Sequence, residues 1–152
     1  MLVHRWLDFL VSSRLCAVAD QRDPADAAFD FVTAVCVYHH VPPSSRLALT
    51  REAYRVLRPG GVFAIVEHNP YNPVTRLIVS RTPVDADAML LRPSEAGGWM
   101  RMAGFSCHAP RYFLYFPEPI YRRAGDQLER LLRSVPLGGQ YAIFGSKRSS
   151  NP

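Results

Sequence analysis

The sequence predicts an α/β fold, and three observations carry that reading. Phe29 to Tyr38 (FDFVTAVCVY) is an almost continuous run of apolar, β-branched and aromatic residues, the pattern of a strand buried on both faces of a parallel sheet. Val62 to Val66 (VFAIV) is a second such run. Between them lies a segment of helical periodicity closed by Pro59-Gly60-Gly61. Strand, helix and strand of these lengths form a βαβ crossover, right-handed in nearly all cases.

The elements follow in chain order. Leu15 to Ala19 (LCAVA) is a short apolar run ending at Asp20, a strand candidate, and a polar loop continues to Ala28. After the long strand, His39, His40, Val41 and the Pro42-Pro43 pair break the extended run. Ser44 or Ser45 can cap the next helix, whose apolar positions include Leu47, Tyr54 and Leu57. Pro59-Gly60-Gly61 is expected to stop that helix and turn the chain into the second strand, which ends at Glu67-His68-Asn69-Pro70. Pro93 to Gly104 reads as a short helix carrying Trp99, Met100 and Ala103, with Gly104 as its stop. Gly97 and Gly98 weaken it by about 1 kcal/mol each relative to alanine. Arg111 to Phe116 is an aromatic strand, expected to pack in the core and against the sheet. Ile120, Ala124, Leu128, Leu131 and Val135 recur at helical spacing, and Gln140 to Phe144 makes a last strand. No internal repeat and no linker divides the chain.

Composition excludes several classes. The 152 residues suit one domain, and 48% hydrophobic against 20% charged residues is ordinary for a soluble globular protein, the polar tail 148–152 apart. Eighteen basic residues against 13 acidic give +5, but the arginines are scattered, so a solvated surface is expected and no specific nucleic-acid partner. Cys16, Cys36 and Cys107 form no CxxC and no disulfide framework, which fits a reducing cytoplasm. Met1 to Val11 is apolar but broken by His4, Arg5 and Asp8, with no cleavage site behind it, so it does not read as a signal peptide. No apolar run approaches the roughly 18 residues of a membrane span.

The α/β class has a functional corollary, because ligands of open α/β sheets bind outside the carboxyl ends of the strands. Tyr38-His39-His40 and Glu67-His68-Asn69 both sit at such ends, on neighbouring strands, and converge on one rim. A histidine there can take a proton from a hydroxyl or amine acceptor, since its pKa lies near operating pH. Alternatively the two histidines cap the strand end, one packed and one solvated. Glu67, His68 and Asn69 either contact the acceptor or fix the loop before Pro70. His39, His40, Glu67 and His68 have no metal-diagnostic spacing, and no metal is expected.

Phe29 to Val41, the following helix, and RVLRPGGVFAIVEHNP (Arg55 to Pro70) together resemble the fourth strand, helix and fifth strand of class I S-adenosylmethionine-dependent methyltransferases. In that family strand four opens with Phe-Asp and carries a His near its end, and Leu-x-Pro-Gly-Gly precedes strand five. EHNPYNPVTR, TPVDADAMLLRP, MAGF, YFPEP and PLGGQY resemble later landmarks of one bacterial subgroup, so the likeness runs over roughly residues 15 to 147. It implies a partial Rossmann-like fold: a mostly parallel sheet with helices on both faces and an antiparallel C-terminal strand. It also implies three parts, an N-terminal remnant over 1–28, the C-terminal part of a methyltransferase domain over 29–147, and the tail.

The implied activity is methyl transfer from S-adenosylmethionine to a small-molecule or carbohydrate-like acceptor. The resemblance implies cofactor contacts at Asp20, Val35, Cys36 and His40, with Asp20 accepting from the adenine amino group. It places Tyr38, Glu67, His68 and Asn69 at the acceptor, and His39 and His40 at the transfer step. The family's glycine-rich first turn and its ribose-binding carboxylate have no counterpart before Phe29. Truncation, with weak or no cofactor binding by this chain alone, is therefore expected. So is self-association through the sheet edge that the first strand would otherwise cover. The rival reading is a non-catalytic remnant serving as an interaction module.

Overall fold

The computed structural model describes residues 25–116, 118–121 and 126–149. Among the described residues five strands, β1 (Phe29–Val35), β2 (Leu57–His68), β3 (Ser106–Cys107), β4 (Arg111–Phe113) and β5 (Gln140–Ser146), form one mixed sheet. Its order is β1-β2-β5-β3, with β4 also on β5. The helices are α1 (Pro43–Val56), α2 (Pro73–Arg81), α3 (Pro93–Met102), the single turn α4 (Glu118–Ile120) and α5 (Asp126–Leu132). β1 and β2 are parallel and joined through α1, and every pairing of β5 is antiparallel. The α/β class, with its antiparallel C-terminal strand, is the one the sequence predicts.

The core forms where alternate residues of the central strands face α1 and α3. Phe63, Ile65 and Glu67 of β2 lie opposite Gly145, Ile143 and Tyr141 of β5, on one face of the sheet. Phe63, Ile65, Tyr141 and Ile143 pack there with Ala53 of α1 and with Ala96 and Met100 of α3. A methyl at Gly145 would sit 2.7 Å from Met100 Cε, the movable end of its side chain, and 3.0 Å from Phe105 Cβ, so both side chains pack directly over the bare strand backbone. Gly104, at φ +105°, ends α3 as expected.

Several boundaries differ from the sequence reading. α1 begins at Pro43, whose missing N–H is harmless in a first turn, and Ser44 and Ser45 make no cap. It ends at Val56, before the Pro-Gly-Gly segment. Leu57 to Gly61 is extended instead: Gly60 donates to Lys147 O and accepts the left-handed φ of +80°, while Lys147 N donates to Gly61 O. Thus Pro59-Gly60-Gly61 is a bulged entry to β2, with the register to β1 shifting between Phe29 and Phe31. β4 stops at Phe113, because Leu114 turns to φ +60° and its N–H donates to the Glu129 carboxylate. The helix α2 was not anticipated, although Asn72-Pro73 signals it: Asn72 Oδ1 accepts the Val74 and Thr75 N–H groups. The candidate strand Leu15–Ala19, Asp20 and the segment Met1–Val11 lie outside the described residues.

Candidate functional site

β1 ends three residues earlier than its apolar run suggests, and that ending builds the site. Cys36 N still donates to Val66 O, but Cys36 then adopts φ +53°, a left-handed conformation costly for a residue with a Cβ. The chain leaves the ladder and coils into a 3-10 turn, Tyr38–His40. The N–H groups of Val37 and Tyr38 now point at Glu67, whose Oε1 accepts them at 3.0 and 2.7 Å. Glu67 Oε2 accepts from His39 Nδ1 at 2.5 Å. One carboxylate at the end of β2 thus satisfies three donors from the end of β1.

This pair is buried: the side chains of His39 and Glu67 are 1% and 0% exposed. Burial pulls the His39 pKa down, but the hydrogen bond to Glu67 and the charges of Glu67 and Asp85 outweigh it and hold the imidazole above its usual value. His40 follows with a half-exposed ring, centroid 4.1 Å from that of His39. His68 lies 5.2 Å from His39 on the other side, its pKa lowered by burial and by His39. Cys36 Sγ sits 3.8 Å from His68 Nε2, and its thiol is pushed up to about 12 by burial, then by Glu67 and Asp85.

Asp85 is a member of the cluster that sequence reading missed. Its Oδ1 lies 3.4 Å from His39 Nε2 and 3.3 Å from His40 Nε2. It stands in a 3-10 turn, Pro83–Asp85, and the chain a few residues beyond is tied to the rim. Met89 N donates to His39 O at 2.8 Å, and the buried Arg46 donates from Nε to Val41 O and from an Nη to Met89 O. Arg46, a charge on the inner face of α1, also lies over the Trp99 ring. An acid 45 residues beyond His40 in an irregular stretch carries no local signal.

The other predicted residues divide. His39, His40, His68 and Cys36 come together at the rim, with Val35 at the end of β1 beside them. Tyr38 does not: its ring is fully buried against Phe63 and Trp99, and its hydroxyl pairs with Thr50 Oγ1 at 2.9 Å. Asn69 fixes the loop, donating to Pro136 O and Gly138 O and accepting from Tyr71 N. Glu67 is fully buried. Tyr38, Glu67 and Asn69 therefore serve the framework, and of the histidines His40 is the one half open to solvent, with His39 buried behind it. A separate cleft of about 420 Å³ is lined by Tyr71, Ser94, Arg101, Cys107, His108 and Tyr112, none of them a predicted site residue.

Comparison with known proteins bears on the fold. A sequence model of a methyltransferase domain matches residues 6–65. No curated protein matches the chain in sequence. Among solved structures, a SAM-dependent methyltransferase from Archaeoglobus fulgidus superposes with a TM-score of 0.62 at 17% identity, over 82% of this chain and 62% of that one. A methyltransferase from Mesorhizobium loti gives 0.57 at 17% identity over 86% and 68%, and one from Methanosarcina mazei 0.54 at 17% over 84% and 63%. The chain thus spans less than two thirds of the Archaeoglobus and Methanosarcina proteins. Through the sequence match over residues 6–65 and the shared Rossmann-like fold, the chain resembles the class I S-adenosylmethionine-dependent methyltransferases, as its strand-four and strand-five motifs predicted.

Proposed function

We infer that this chain forms the acceptor-side part of an S-adenosylmethionine-dependent methyl-transfer site, acting on a small-molecule or carbohydrate-like acceptor. The observation that carries the reading is the left-handed exit of β1 at Cys36. It sets Val35, Cys36 and His40 at the carboxyl end of two parallel strands, where α/β sheets take their ligands. In this reading Val35 and Cys36 present backbone to the cofactor, and His40 lines the path of the methyl group. His39, buried and held by Glu67, backs the His40 ring and so positions it at the transfer step. Most of the rate comes from aligning the methyl carbon with the acceptor atom, and the rigid Glu67 framework supplies that alignment. Asp20, the proposed adenine contact, lies outside the described residues.

A chimera testing this would join the chain to the cofactor-binding segment of the Archaeoglobus relative and follow transfer of a labelled methyl group. His40→Ala is expected to lower kcat/KM at least about tenfold. His108→Ala, in the separate cleft, should leave it nearly unchanged. Equal kcat/KM for the two variants would contradict the rim assignment.

A further inference from the structure

The His39–His40–Asp85 cluster is more than a strand cap. One ligand atom from each of the three residues lies within 4.8 Å of the others, and Asp85 Oδ1 is 3.4 Å from His39 Nε2 and 3.3 Å from His40 Nε2. In a tetrahedral zinc site with bonds of about 2.0–2.1 Å, ligand atoms stand about 3.3–3.4 Å apart. The two distances to Asp85 match that edge.

The far nitrogen is held as well. A carboxylate only accepts, so Glu67 takes the proton of His39 Nδ1 in a hydrogen bond, and Nε2 is the nitrogen that faces Asp85, where a bound metal ion would take the place of a proton. A carboxylate behind the far nitrogen of a histidine ligand is the arrangement that orients zinc ligands and raises their basicity. Charge also balances: with neutral imidazoles, Asp85 and Glu67 give the pocket two negative charges, which a divalent cation offsets. The ligands are set in advance. His39 is wedged by Glu67, and the Asp85 loop is tied to the rim through Met89 and Arg46.

We propose that His39, His40 and Asp85 form a binding site for a divalent transition-metal ion, zinc by its geometry, with Glu67 as the carboxylate that orients His39. Three protein ligands leave a fourth position open, on the solvent side where His40 is half exposed. A water or an acceptor oxygen can occupy it. The site stands on the cluster's own geometry and does not depend on the methyltransferase reading.

Titrating the full chain with Zn2+ alone in a calorimeter tests the site, with Co2+ as a spectroscopic probe whose visible absorption reports four-coordinate geometry. Micromolar or tighter binding of one ion is expected, with intense d–d bands. His40→Ala and Asp85→Ala should each weaken it at least about tenfold, and Glu67→Gln should weaken it by 10- to 100-fold, roughly the range for carboxylates that orient metal ligands. His40 is exposed, so His40→Ala folds normally, and circular dichroism confirms this for each variant. His108→Ala should bind like wild type. No binding at micromolar Zn2+, or binding that His40→Ala and Asp85→Ala leave unchanged, overturns the site whatever the outcome of the methyl-transfer test.

Discussion

Replacing Glu67 with alanine strips the acceptor from three donors at once: Val37 N, Tyr38 N and His39 Nδ1. Tyr38 and His39 are buried, so water cannot substitute without opening the turn. An unsatisfied buried donor costs about 1–3 kcal/mol, and breaking a buried ion pair about 3–5 kcal/mol, so a loss of roughly 3–5 kcal/mol is expected. At about 2–4 °C per kcal/mol for a chain of this size, Tm should fall by roughly 6–20 °C. Glu67→Gln keeps an oxygen for the two backbone N–H groups, and its amide can donate to His39 after a tautomer change. Its expected loss is smaller, about 1–2 kcal/mol. Urea unfolding followed by tryptophan fluorescence reads both, since Trp99 stacks on the Tyr38 ring at 6.5 Å. A loss under about 1 kcal/mol for Glu67→Ala, or equal losses for the two variants, would refute the account of Glu67 as the hub.

The 152-residue chain alone should bind S-adenosylmethionine only weakly, because its sequence lacks the glycine-rich turn and ribose carboxylate, each missing hydrogen bond forfeiting about 0.5–1.5 kcal/mol. A micromolar dissociation constant by calorimetry would overturn that expectation. Cys36, its thiol pushed up to about 12, should resist iodoacetamide at mildly alkaline pH in the native protein and react in urea, as read by peptide mass spectrometry; equal rates in both states would contradict its buried setting. Burial raises the folded-state pKa of Cys36 from 9.0 and of Tyr38 from 10.0, each to about 12. Both favour the protonated form in the folded chain, so stability should hold below about pH 9 and decline between about pH 9 and 12. Unfolding titrations showing a flat profile across that window would count against it. Finally, among the described residues β1 pairs on one side only and carries Phe31 at 52% exposure, so the chain should assemble through this edge. A monodisperse monomer in size-exclusion chromatography with light scattering would contradict this.

The sequence reading located the βαβ unit because its signals are local: two apolar runs, one helical period, and a Pro-Gly-Gly segment. It set the histidines at the ends of the two paired strands, where the structure brings them together, for the same reason. It missed what depends on contact between distant residues. Nothing near Cys36 announces a left-handed residue; that conformation is stabilised by Glu67, 31 positions away, which collects the N–H groups the ladder gives up. The same contact sends Tyr38 into the core and His39 toward Asp85. The stretch after Asp85 is tied to the rim by Arg46, a buried charged residue of α1 that donates to Val41 O and Met89 O. The reading also lacks α2, although that helix has a local signal in Asn72-Pro73, an N-cap followed by proline at the first helical position.

The measurement closest to the central claim is chemical-shift mapping of the labelled chain with millimolar S-adenosylmethionine, which reads weak binding residue by residue. The account predicts saturable shifts at the backbone amides of Val35, Cys36 and His40, with little change around Arg101 and His108. Shifts confined to the cleft of Arg101 and His108, or none at the rim, would contradict the assignment of the β1–β2 strand ends as the cofactor-facing site.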